Sequence, residues 1–200
     1  DCKVTFLYDM FVNQIVELSR THKHGSCGCG IWETLKRYET ELNLTIETLS
    51  KMSDNELVNY IQQCAAFSYS RAEQLVANEN LNLSVFHEYE NLFQSENTVS
   101  AILKTLVYFF NNVQIVNDSS FLNNYETIVF ENGQGLLLDI RLDKKLSTPS
   151  ITGCENIITA INDKFDCQGT IPKLFYVTRT YITRHGSNEF KEQCCMHDIN

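Results

Sequence analysis

Proline, basic charge and long apolar runs are all scarce in this 200-residue chain. It contains two prolines, and its 25 acidic residues outnumber its 16 basic ones, for a net charge of −9 at pH 7. This charge excludes general binding to nucleic acid, because nothing offsets repulsion by the phosphate backbone. No apolar run approaches the roughly 20 residues that cross a bilayer, and the N-terminal residues have no signal-peptide character. We therefore expect a cytoplasmic protein with no nucleic-acid or membrane partner.

The eight cysteines are scattered along the chain, which favours reduced thiols in a cytosol over a disulfide framework. A zinc site is the alternative, because five residues have suitable ligand chemistry. Their spacing matches no common zinc pattern. They are Cys27, Cys29, Cys194, Cys195 and His197.

The overall composition is that of an ordinary globular protein, with 43% hydrophobic and 20% charged residues. A chain of this length can bury a substantial core. No Pro/Ser/Gly-rich linker and no internal repeat divides the sequence. We therefore treat residues 1–200 as a single domain.

Apolar spacing and helix caps predict helices in the first part of the chain. Apolar residues at helical spacing indicate helices over 5–20 and 98–112, and Ser53 and Glu56 fit a capping box that begins another helix. These patterns predict that residues 31–116 are mostly helical.

Later segments favour strands. β-Branched and aromatic residues at 127–130 and 173–183 predict strands, and a helix is expected over 155–163. Together the patterns predict an α/β fold, with a sheet of few strands and a large helical insertion between residues 31 and 116.

A polar turn follows the first predicted strand. Gly133 and Gly135 flank Gln134, and glycines without Cβ atoms let backbone amides approach a ligand closely. The carboxamide of Gln134 both donates and accepts hydrogen bonds, which suits the edge of a purine. A ligand loop and a plain tight turn are both open interpretations of this pattern.

Three other segments have ligand-binding character. The glycine-rich residues 25–30 open a predicted helix, where backbone N–H groups and the helix dipole favour an anion; a simple loop–helix junction is the alternative. Hydroxyls at alternate positions over 147–152 suit either a helix cap or a phosphate. The basic loop 184–188 follows a predicted strand, where α/β folds bind ligands, although a surface turn fits as well.

Four stretches, in this order, resemble adenylosuccinate synthetases: residues 24–30 (HGSCGCG), 130–139 (FENGQGLLLD), 147–153 (STPSITG) and 181–186 (YITRHG). The resemblance implies a homodimeric α/β ligase of purine nucleotide biosynthesis. Such an enzyme joins L-aspartate to IMP, consuming GTP in the presence of Mg²⁺, through a 6-phosphoryl-IMP intermediate.

The resemblance also implies roles for particular residues. Ser26, Cys27 and Gly28 correspond to the loop that holds the IMP phosphate, and Thr148 to a second phosphate-binding hydroxyl. Gln134 corresponds to the glutamine that faces the purine 6-position. Arg37 is the nearest candidate for an arginine that reaches the IMP of the partner subunit. Further nucleotide-site loops are implied at Gly133, Gly135, Arg184, His185 and Gly186.

Departures from the family pattern limit this expectation. The catalytic Asp and His of the family are expected upstream of residue 1, and its GTP and aspartate motifs downstream of residue 200, so the chain by itself is expected to be inactive. Cys27 replaces a hydroxyl, Asn132 stands where alanine is usual, and Ile151 where asparagine is usual. Two alternatives therefore remain: a ligase that uses a guanine nucleotide in place of IMP, and a non-catalytic nucleotide-binding or dimerisation paralogue.

Overall fold

A computed structural model of the protein describes residues 2–21, 25–116, 124–142, 148, 150–164 and 172–177. Within these ranges the regular structure consists of seven α-helices and a short 3-10 helix at Leu136–Leu138. None of these helices combines the length and apolar character needed to cross a membrane. The α-helices are α1 Leu7–Ser19, α2 Ile31–Tyr38, α3 Ile46–Ser50, α4 Asp54–Asn78, α5 Leu83–Gln94, α6 Glu96–Asn112 and α7 Glu155–Lys164.

The 25-residue helix α4 is the centre of the helical part, and it packs against α1, α2, α5 and α6. Its first turn is closed by a capping box: the Ser53 side chain accepts from the backbone N–H of Glu56, and the Glu56 carboxylate accepts from the Ser53 N–H at 2.8 Å. Apolar side chains of α4 are buried against rings from α1 and α5, including Tyr8 and Phe93, whose ring centroids are 6.0 Å apart. Burial of this apolar surface is the main stabilising contribution to the bundle.

Gly30 allows α2 to begin directly against α1. Its φ of 73° lies in the left-handed region, and a Cβ at this position would meet the backbone of Asp9 and Met10 at 2.6 Å. Any other residue would force α2 away from α1 or strain the backbone.

The predicted helices at 5–20, 98–112 and 155–163 are confirmed by α1, α6 and α7, and the capping box at Ser53 is confirmed as well. These predictions succeeded because apolar spacing and caps are local signals that tertiary packing reinforces.

The predicted α/β fold is wrong: the part of the chain that the structure describes contains no strand. Residues 127–130 lie in irregular backbone, and Val129 is 84% exposed. The described part of the second predicted strand, 173–177, is also irregular, with Val177 96% exposed. β-Branched composition yields a strand only where a neighbouring strand supplies hydrogen-bond partners and a packed face, and neither segment has one among the described residues.

Candidate functional site

The structure brings Gln134 and Thr148 into direct contact, although fourteen residues separate them. The Thr148 hydroxyl donates to the side-chain oxygen of Gln134. The chain returns to this point because the Thr148 N–H donates to the Leu138 carbonyl at 2.8 Å, and the Ile140 N–H donates to the Ser150 carbonyl at 3.0 Å. Two backbone bonds thus hold the glycine turn beside the hydroxyl-rich segment.

Asp139 is the centre of the polar contacts that fix this region. One carboxylate oxygen accepts from the Thr152 N–H at 2.9 Å, while the guanidinium of Arg141 donates to both carboxylate oxygens, at 2.7 and 2.8 Å. Arg141 also reaches Glu155 at the start of α7, at 3.0 Å. The hydrogen bonds from the Arg141 side chain hold the pKa of Asp139 well below its usual range. The Asp139 carboxylate is therefore ionised at neutral pH, and it links the backbone at 139 to Arg141 and to Thr152.

An open depression of about 590 Å³ lies beside the Gln134–Thr148 contact. Its volume is within the range of small-molecule sites. The described residues of its lining are rich in amides and hydroxyls and include no ionisable side chain. Asn132 closes one side, because its amide nitrogen donates to the carbonyls of Thr152 and Gly153 at 2.9 and 3.1 Å. The lining residues are Asn132, Gly133, Gln134, Ser150, Ile151, Thr152 and Asn156.

The two glycines beside Gln134 have no internal packing reason to be glycine. A Cβ built at Gly133 or at Gly135 would meet no other atom of the described residues within 4 Å, and neither glycine has a positive φ. Gly135 has ordinary extended backbone, with φ −71° and ψ 152°. Space therefore remains open above this backbone, as a closely approaching ligand would require.

The loop at 25–30 packs on α1, where its amides already bind a carboxylate. The Gly25 N–H donates to the Glu17 carboxylate at 2.6 Å, and the Ser26 N–H donates to the same oxygen at 3.3 Å. The Ser26 hydroxyl donates to Asn13 at 2.9 Å and accepts from the Gly28 N–H at 3.1 Å. These bonds group Ser26, Cys27 and Gly28 with α1, and none of the three lines the depression beside Gln134.

Arg37 is buried inside the protomer and has no exposed surface. Its guanidinium is paired with Asp9, with nitrogen–oxygen distances of 2.9 and 3.1 Å, and also donates to the Leu42 carbonyl. Burial alone would lower the pKa of Arg37, but the hydrogen bonds and charge of Asp9 raise it above its ordinary value. In this arrangement the side chain joins α2 to α1.

The predicted site residues Arg184, His185 and Gly186 lie outside the described residues, as do Cys194, Cys195 and His197. Within the described ranges no three His, Cys, Asp or Glu side chains cluster so as to hold a metal ion. Cys27 and Cys29 lie side by side, with 3.3 Å between their sulfur atoms. The described residues thus contain no cluster of three such side chains for the Mg²⁺ that the family resemblance implies.

Sequence reasoning missed the roles of Asp139, Thr152 and Asn156. Asp139 carries the contacts that shape the segment, while Thr152 and Asn156 line the depression. The hydroxyls at the alternate positions 148, 150 and 152 could have indicated that this segment lines a polar depression. The spacing of Asp139 and Arg141, two residues apart, could have indicated a local ion pair. Nothing in the sequence indicated that the Thr152 N–H would also bind this carboxylate.

Comparison of the chain with protein-family models, curated proteins and solved structures finds no significant match.

Proposed function

We propose that the chain carries an IMP-binding site of a purine nucleotide ligase resembling adenylosuccinate synthetase, which joins L-aspartate to IMP with GTP as co-substrate. One observation carries this proposal: Gln134 and Thr148 hydrogen-bond to each other at the edge of a polar depression. They are the residues that the resemblance assigns to the purine 6-position and to a phosphate. The helical architecture contributes nothing to the proposal, which depends on residues 132–156.

The chemistry of the lining suits a neutral, hydrogen-bonding base better than an apolar ligand. Asn132, Gln134 and Asn156 contribute carboxamides. Both N–H groups of Asn132 and one of Asn156 already donate to backbone carbonyls, so these two residues offer a ligand mainly their amide oxygens. Ser150 contributes a hydroxyl group that can donate and accept, whereas the Thr152 hydroxyl already donates to the Leu136 carbonyl at 3.2 Å and can only accept from a ligand. A purine presents alternating donors and acceptors along its edge, and such a pattern is best satisfied by side chains of these two types.

A phosphate would need donors that the described structure offers in two places. The Thr148 hydroxyl is one, and it would have to exchange its hydrogen bond to Gln134 for one to the phosphate. The N–H groups of Gly25 and Ser26 are another, because they bind the Glu17 carboxylate and so are arranged to bind an anion. A ligand phosphate at that loop would have to displace Glu17.

The ligase itself requires catalytic, GTP-binding and aspartate-binding groups in addition to those of the depression. The carbonyl oxygen at the purine 6-position leaves poorly until it is phosphorylated, which is why the proposed reaction consumes GTP. In this proposal the chain orients the 6-position through Gln134, and loss of that orientation lowers the rate even when the catalytic groups are intact. A homodimer in the cytoplasm belongs to the same proposal.

Isothermal titration with IMP tests the binding step. We expect Gln134→Ala and Thr148→Ala each to weaken IMP binding by about tenfold or more, which corresponds to roughly 1.4 kcal/mol. Thr105→Ala is the matched control, because the Thr105 hydroxyl is exposed and bonds only the Ala101 carbonyl of its own helix, at 2.9 Å. Unchanged affinity in both site variants, or no IMP binding by the parent chain, would overturn the proposal.

Two further experiments distinguish the IMP ligase from a ligase that uses a guanine nucleotide and from a non-catalytic paralogue. Titration with GMP identifies a site that prefers a guanine nucleotide. An assay of GTP-dependent consumption of IMP and aspartate, made on the complete gene product, separates a ligase from a non-catalytic paralogue. Tight IMP binding without turnover by the complete product would assign the chain to the paralogue.

A further inference from the structure

Cys27 and Cys29 form the closest pair of thiols among the described residues. Their sulfur atoms are 3.3 Å apart, and both side chains are exposed on the loop that precedes α2. A disulfide has a sulfur–sulfur distance of about 2.05 Å. Bond formation would therefore require the two atoms to approach by little more than an ångström, in a loop whose side chains face solvent.

The backbone between the two cysteines holds them on one side. Gly28 has a φ of 73°, and its N–H donates to the Ser26 hydroxyl at 3.1 Å, so the chain folds back at this residue. Gly30, also at φ 73°, anchors the end of the loop against α1. A non-glycine residue rarely adopts this left-handed conformation. The two glycines thus impose the turn that brings the sulfurs together.

The thiol pKa values of Cys27 and Cys29 are shifted by different causes from that of the buried Cys64. Burial raises the pKa of the Cys64 thiol to about 11, which keeps it protonated and unreactive. The backbone N–H of Cys29, and then its thiol, lower the pKa of Cys27 below its ordinary value. The same thiol contact raises the pKa of Cys29. Cys27 therefore reaches the thiolate form, which is the attacking form, at a lower pH than Cys29, whose sulfur lies 3.3 Å away.

We propose that Cys27 and Cys29 form a reversible disulfide by exchange with low-molecular-weight disulfides such as glutathione disulfide. The Cys27 thiolate attacks one sulfur of the small disulfide, forming a mixed disulfide and releasing one thiolate. Cys29, once deprotonated, attacks the Cys27 sulfur, closing the ring across Gly28 and releasing the second thiolate. The protein loses two electrons and two protons, and the small disulfide is reduced to two thiols.

This inference concerns the loop at 25–30 and does not require the proposed nucleotide site. Its steps depend only on the two sulfurs and on the turn at Gly28.

Mass spectrometry of the intact chain, equilibrated with a series of reduced and oxidised glutathione mixtures, tests the proposal. After alkylation of free thiols, trypsin cleavage at Lys23 and Lys36 releases residues 24–36, which contain these two cysteines and no others. We expect the doubly alkylated peptide to be replaced by an unalkylated form that is lighter than the dithiol by two hydrogen atoms. A peptide that remains doubly alkylated at every mixture would overturn the proposal, as would one that carries two glutathione adducts.

Two comparisons test the chemistry and the contribution of the fold. Cys29→Ser should trap Cys27 as a single glutathione adduct, with no loss of two hydrogens; an unmodified Cys27 would contradict its role as nucleophile. Equilibration in denaturing urea should lower the ratio of disulfide to dithiol by about tenfold, because the unfolded loop has a lower effective thiol concentration. Equal ratios in folded and unfolded chain would show that the loop geometry contributes nothing and would overturn that part of the argument.

Discussion

Arg37 and Asp9 form a fully buried ion pair in which two guanidinium nitrogens meet two carboxylate oxygens, at 2.9 and 3.1 Å. The pair joins α2 to α1. The second oxygen of Asp9 also accepts from the Phe6 N–H at 3.0 Å, and it lies 3.1 Å from the Thr34 hydroxyl. Both charges are thus neutralised and hydrogen-bonded, which is the condition under which ions are tolerated in a protein interior.

Removing one member of this pair should be strongly destabilising. We expect Arg37→Met to lower the free energy of unfolding by about 3–5 kcal/mol, because the Asp9 carboxylate is left buried without its counter-ion. Urea denaturation followed by circular dichroism measures the change. Arg20→Met is the matched control: Arg20 pairs with Glu79 at the surface, and its loss should change stability by less than about 1 kcal/mol. Equal effects of the two substitutions would contradict the buried arrangement.

Tyr8→Phe should leave the stability at neutral pH unchanged or raise it by up to roughly 1–3 kcal/mol. The Tyr8 hydroxyl is buried and has no hydrogen-bond partner among the described residues, so its removal relieves an unsatisfied polar group. Tyr60→Phe is the control, because the Tyr60 hydroxyl donates to the Leu42 carbonyl at 3.0 Å and its loss should cost about 1 kcal/mol. A larger loss for Tyr8→Phe than for Tyr60→Phe would refute the assignment.

Tyr8 also contributes to the way in which the free energy of unfolding depends on alkaline pH. Burial, and then the charge of Cys64, raise the pKa of Tyr8 to about 12, whereas an unfolded tyrosine titrates near 10. A raised pKa means that the folded state binds this proton more tightly, so the contribution to stability is complete below pH 10 and declines as pH rises towards 12. Tyr8→Phe should therefore flatten the fall in unfolding free energy over this interval. An unchanged alkaline slope would show that Tyr8 is not buried.

Glycine substitutions should separate packing from ligand binding. Gly133→Ala places a methyl group in open space and should change the unfolding free energy by less than about 1 kcal/mol. If a ligand approaches this backbone, the same variant weakens IMP binding severalfold. Gly30→Ala is the contrasting control, because its Cβ would meet backbone atoms at 2.6 Å at a left-handed φ, and thermal unfolding should show a large loss. A stable Gly30→Ala variant would contradict the close packing of α2 on α1.

Asp139→Asn should loosen the candidate site while leaving the helices intact. Removing the charge weakens the bonds from Arg141 and the Thr152 N–H, so hydrogen exchange of the Thr152 amide should accelerate by about tenfold. Glu155→Gln is the control, since its exposed contact with Arg141 contributes little. In the parent chain the lowered pKa of Asp139 keeps the carboxylate ionised as pH falls through the usual aspartate range near 3.9, and the protection should disappear only below it. Loss of protection at about pH 5 would contradict this assignment.

Local signals in the sequence were sufficient for much of the helical part. The capping box at Ser53 and the apolar spacing in α1 and α6 encode helix ends and buried faces within a few residues. The buried partnership of Arg37 with Asp9 could not be predicted in this way. Twenty-eight residues separate the two, and nothing local distinguishes a buried arginine from an exposed one.

The strand predictions failed for a related reason. The composition at 127–130 and 173–177 favours β-structure, but pairing depends on distant backbone that composition does not reveal. By contrast, the association of Gln134 with Thr148 was implied by resemblance and not by local pattern. The bonds that produce it, from Thr148 to Leu138 and from Thr152 to Asp139, span ten and thirteen residues.

The most direct measurement of the central claim is a titration of isotope-labelled chain with IMP, followed by amide chemical shifts. We expect perturbations concentrated in residues 132–135 and 150–156, which surround the depression, and their loss in Gln134→Ala. Saturating IMP that shifts only amides of the helical part, or none at all, would contradict the claim that this depression binds a purine monophosphate.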